Sequence, residues 1–125
     1  MNRRTVFAFA LIVAAVTTSA RAETRLDTTD HHSWRHSLTD MAVECDGQPR
    51  GPCFLELLKG DEAIRKDFFA KHMNGLTKDD YKKTPGLALT DSAFFKRQKE
   101  VEVLYKNYMH NITLAQYKAR IAAAK

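Results

Sequence analysis

The 125-residue chain has no apolar run long enough to cross a bilayer. Residues 6–16 (VFAFALIVAAV) come nearest, at eleven residues, where a spanning helix needs roughly twenty. Cysteine is scarce, with two in all, which leaves too few thiolates for a C-x2-C zinc or iron–sulfur centre. No G-x-S-x-G elbow, phosphate-cradling loop or H-E-x-x-H helix is present, so a non-catalytic role is the expectation. Glu44 and Glu56 flank a loop without marking a matched acid–base pair. Base-stacking and groove-reading motifs are also missing, which argues against nucleic acid as a partner. Strand-like alternation and two-residue hairpin turns do not stand out.

What the chain does carry begins with a leader. Arg3 and Arg4 precede the apolar stretch, and Ala20-Arg21-Ala22 supplies the small-x-small site of a signal peptidase. Residues 1–22 are expected to be a signal peptide, of the general secretory type rather than the twin-arginine type. The mature chain then starts at Glu23 as a periplasmic or secreted protein of 103 residues, enough for a single domain. The precursor's charge of +5 falls to +2 once the leader's three arginines are removed. What remains is uneven, with a net of −3 over residues 23–60 and +5 over residues 61–125. A positive second half can steer an acidic partner toward the surface.

Cys45 and Cys53 enclose a seven-residue loop, Asp46-Gly47-Gln48-Pro49-Arg50-Gly51-Pro52, in which Asp-Gly, Gln-Pro and Gly-Pro are turn signals. In an oxidising compartment such a pair is expected to form a disulfide.

The remainder reads as helices and turns. Trp34, Leu38, Met41, Ala42 and Cys45 recur at helical period. Phe54, Leu55, Leu57 and Leu58 predict a short helix ended by Gly60, after which Asp61 is expected to cap another, stopped at Asn74-Gly75. A threonine start box occurs three times, at Thr77, Thr90 and Thr113, each with an aliphatic residue before it and an aromatic residue four positions after it. The longest helix is expected over residues 91–110. Residues 68–83 and 104–119 resemble each other at an offset of 36, with Met73/Met109, Leu76/Ile112 and Thr77/Thr113 in register, which reads as one turn solution used twice. The predicted fold is an all-α bundle of about five helices, with the disulfide-closed loop between the first two.

Three constellations compete for function. His32, His36 and Asp40 climb one helix face opposite the Trp34–Leu38 stripe, and with His31 they offer ligands for copper or zinc. Arg50 tips a stiff loop, and Lys96, Arg97, Lys99 and Lys106 lie along the longest helix. Together these five are the expected contacts for a protein partner. The adjacent pairs Phe68-Phe69 and Phe94-Phe95 point about 100° apart, so one member of each can sit at the core edge as a homodimer or partner patch. The favoured reading is a small exported protein that binds another envelope or secreted protein, as an inhibitor or immunity factor, an accessory subunit or a chaperone, with no cofactor. A periplasmic copper- or zinc-binding protein is the alternative, favoured by surface methionines near the histidines and disfavoured by buried ones.

Overall fold

A computed structural model describes residues 23–82 and 85–125. The signal peptide expected over residues 1–22 lies outside the described residues, as does the side chain of Tyr81, the expected staple partner of Leu76. Among the described residues the protein is all-helical, with one isolated bridge between Arg25 and Thr113 and no strand. Four helices exceed one turn, not five: α1 His31–Asp46, α2 Pro52–His72, α3 Ala93–Met109 and α4 Leu114–Ala124. A single turn at Asp79–Lys82 and a 3-10 turn at Leu89–Asp91 fill the connection from α2 to α3.

The missing helix is explained at Gly60. It does not end the Phe54–Leu58 segment. The helix runs through it for 21 residues, and Asp61 is an interior residue rather than a cap. Glycine in a helix interior costs about 1 kcal/mol against alanine, yet here its bare α-carbon admits the side chain of Ile121 from α4. A β-carbon at this position would collide with that side chain. Helix α2 is thus the spine on which α1, α3 and α4 all pack.

Local chemistry sets the other boundaries. Asp30 caps α1 by accepting from the Ser33 N–H at 2.7 Å, and Gly47 ends it in the left-handed conformation at φ 76°. Thr113 and Gln116 form the expected capping box at the start of α4. The box at Thr90 does not start α3. Ser92 does, accepting from the Phe95 N–H at 3.1 Å, while Leu89 stays largely exposed in the preceding turn. The two similar turns share a left-handed residue in register, Gly75 and Asn111, but Asn74 is left-handed as well whereas the corresponding His110 is extended.

The core gathers Leu38 and Met41 from α1, Leu57, Ile64 and Phe68 from α2, Val101 and Tyr105 from α3, and Tyr117 and Ile121 from α4. Tyr117 is fully buried and satisfies its hydroxyl by donating to the Leu57 carbonyl at 2.9 Å. The segment before α1 closes one end. Leu26 is 1% exposed, its N–H donates to the Ile112 carbonyl, and its carbonyl accepts from the Asn111 N–H.

Candidate functional site

The loop between α1 and α2 is organised by Asp46, the last residue of α1. Its carboxylate turns forward and accepts from the Cys53 N–H at 2.6 Å, capping the first turn of α2 from a distance. The space that carboxylate fills is the space a β-carbon on Gly51 would need. Cys45 and Cys53 approach to 2.6 Å, and both are free thiols. The expected disulfide is therefore not closed in this structure, since a covalent S–S bond measures about 2.05 Å. Cys53 is buried, and that burial, reinforced by its hydrogen bond with Cys45, pushes its thiol pKa up to about 12. Cys45 is half-exposed and accepts from Lys118 Nζ at 3.3 Å. Between the cysteines, Gln48, Pro49 and Arg50 are exposed, with Arg50 in the open as anticipated.

Helix α3 divides the residues that sequence grouped as one basic face. Lys96, Lys99 and Lys106 are exposed and fall at i, i+3 and i+10, with Val103 between them at i+7. Val103 is 58% exposed, with Lys99 and Glu100 one turn before it and Lys106 one turn after it. Arg97 is on another face and is occupied. Its Nε donates to the His72 carbonyl at 2.8 Å, tying α3 to the end of α2, and its guanidinium pairs with Glu100.

The histidines of α1 are exposed, His32 and His36 away from the neighbouring helices and His31 at the mouth of a cleft facing α2 and α3. His36 Nε2 lies 3.6 Å from Asp40 Oδ2, and His31 stacks on Trp34 with ring centres 5.7 Å apart. Among the described residues no three His, Cys, Asp or Glu side chains converge as a metal site would require. Met41, Met73 and Met109 are all buried, so these three thioethers do not stand beside the histidines.

Of the aromatic pairs, Phe68 and Phe94 are buried, whereas Phe69 and Phe95 sit half-buried at the edge, each beneath a cation.

One feature was not anticipated from the sequence. A cleft of about 290 Å³ opens where the α1 N-terminus faces α2 and α3. Trp34, Tyr105 and Met109 give it apolar walls, and Asp30, Asp61, Arg65 and Lys106 ring them. Tyr105 donates its hydroxyl to Asp61 Oδ1 at 2.7 Å, and burial, with Asp61 alongside, raises its pKa strongly, so it remains a donor. The Arg65 guanidinium lies 4.5 Å from the Tyr105 ring centre. The spacing of Asp61 and Arg65, i and i+4, was the one local hint of this arrangement. Tyr105 lies 44 residues from Asp61 in sequence.

No described helix is long and apolar enough to cross a membrane. Comparison with protein-family models, curated proteins and solved structures finds no match to this chain.

Proposed function

We propose that this chain is an exported, non-catalytic protein that works by binding another protein of the envelope or the extracellular space, as an inhibitor or immunity factor, an accessory subunit or a chaperone. The observation that carries this reading is the outer face of α3, where Val103 projects among Lys96, Lys99 and Lys106. An exposed aliphatic residue with Lys99 and Lys106 one turn to either side, and Glu100 alongside, suits a partner surface with an apolar recess and a mainly acidic rim. Lys96, Lys99 and Lys106 remain the proposed contacts with Arg50, while Arg97 serves the interior of the protein.

The compartment also bears on the cysteines. Outside the cytosol the two sulfurs would lose two protons and two electrons to a disulfide-exchange oxidant and join. Their proximity supports that step, and a closed loop would hold Arg50 in a fixed pose for docking.

Purification of the protein from its own cell envelope tests the reading. A stoichiometric complex that is lost on Lys99→Glu with Val103→Glu is the expected result. A complex indifferent to those changes and to Arg50→Glu would overturn the assigned surface, and absence of any protein partner would overturn the reading itself.

Copper or zinc binding through His31, His32, His36 and Asp40 is the second reading, favoured by the His36–Asp40 approach on an exposed face. The burial of Met41, Met73 and Met109 weighs against it.

A further inference from the structure

We infer that the cleft between α1, α2 and α3 is a binding site for a small aromatic monocarboxylate. Most polar groups of the cleft are already engaged: Thr28 Oγ1 donates to the Lys106 carbonyl, and His31 stacks on Trp34. Asp30 Oδ1 is taken by the Ser33 N–H, and Asp61 Oδ1 by the Tyr105 hydroxyl. The cations are not so engaged. Among the described residues, neither Arg65 nor Lys106 has a hydrogen-bond or ion-pair partner for its side-chain nitrogens. Arg65 is nevertheless positioned, because its guanidinium stacks on Tyr105 and also lies over Phe69. A planar fork of N–H donors fixed against a ring is preorganised for a carboxylate, which it can grip through two parallel hydrogen bonds. Lys106 on the other wall adds a second positive charge.

The body of the ligand follows from the walls. The indole of Trp34, the buried ring of Tyr105 and the buried thioether of Met109 present flat or polarisable apolar surface. At about 290 Å³ the cleft sits at the small end of ligand sites, which commonly span about 300–1,000 Å³. One ring on a short acid chain matches that size and the distribution of charge. The site is separate from the outer face of α3 except for Lys106, and it stands whether or not that face binds a protein.

Trp34 is the sole tryptophan of the chain, so its fluorescence reports on the cleft alone. Titration of the folded protein with 3-phenylpropionate is expected to change that emission saturably, with a dissociation constant of about 1 mM or below. Arg65→Gln should weaken binding about tenfold and Lys106→Gln severalfold, with helix content unchanged by circular dichroism. The neutral analogue 3-phenylpropanamide should bind at least about tenfold more weakly than the acid. N-acetylphenylalanine separates two sources of the same chemistry. Tighter binding than 3-phenylpropionate assigns the site to the carboxyl end of a peptide, and weaker binding to a free acid. No saturable change up to about 10 mM acid, equal binding of the amide, or tighter binding of phenethylamine would each overturn the assignment.

Discussion

Ile121 occupies the space that a β-carbon on Gly60 would need, and this contact locks α4 onto the middle of α2. Alanine is the better helix former by about 1 kcal/mol, so propensity alone predicts that Gly60→Ala stabilises the protein. Overpacking a tight helix contact costs about 1–3 kcal/mol, and here it wins. Gly60→Ala should lower the urea midpoint. Adding Ile121→Ala should make the same glycine substitution neutral or favourable in a double-mutant cycle.

The Asp46 carboxylate caps α2 through the Cys53 N–H. Asp46→Ala should cost about 1 kcal/mol in chemical denaturation. Amide exchange at Cys53 should speed up with it. An unchanged Cys53 exchange rate would remove Asp46 from this role.

Cys53 gives the reduced protein an alkaline weakness. Its pKa is raised from an ordinary 9.0 to about 12, so the neutral thiol is favoured in the folded state. The associated stability is intact below about pH 9 and is lost as pH climbs toward 12, at no more than about 1.4 kcal/mol per pH unit. Tyr105 and Tyr117 are also raised, by burial foremost, and steepen the loss above their ordinary value of 10.0. Denaturation of Cys53→Ala at pH 9 and pH 10 should show a flatter slope than the parent, whatever its absolute stability.

Oxidation should act in the opposite direction. Closing the Cys45–Cys53 loop is expected to raise stability by about 2.5 kcal/mol on the chain-entropy model. The same comparison in the presence of a reductant should abolish the gain. Equal midpoints for the two redox forms would show that closure strains the loop by as much as it constrains the unfolded chain.

The histidine face makes a separable prediction. If α1 binds copper or zinc there, calorimetric heat on titration should disappear in the His32→Ala, His36→Ala double variant. Heat that persists in that variant removes the histidine face as the site.

Features set by near neighbours were legible in the sequence. The Thr113–Gln116 box and the Trp34–Cys45 stripe depend on residues within a few turns, and the structure carries both. The approach of Cys45 to Cys53 was likewise readable from the turn residues between them. Gly60 was misread because its purpose lies 61 residues away in Ile121, and a glycine followed by aspartate looks locally like a stop and a cap. Thr90 and Ser92 both fit a cap, and the 3-10 turn at Leu89–Asp91 decided for the serine. Arg97 was grouped with the lysines by proximity in sequence, although it points about 100° away from Lys96. The cleft escaped notice because its walls come from three helices, and only packing brings Trp34, Arg65 and Tyr105 together.

The pairing of Leu26 with Asn111 and Ile112 joins one of the earliest described residues to one made some 86 positions later. Helices α1 and α2 can meet as a hairpin while synthesis continues, but the end seal must wait for Asn111 and Ile112. Until α3 has been made, the segment before α1 has no backbone to pair with, and the burial of Leu26 is among the last gains of folding.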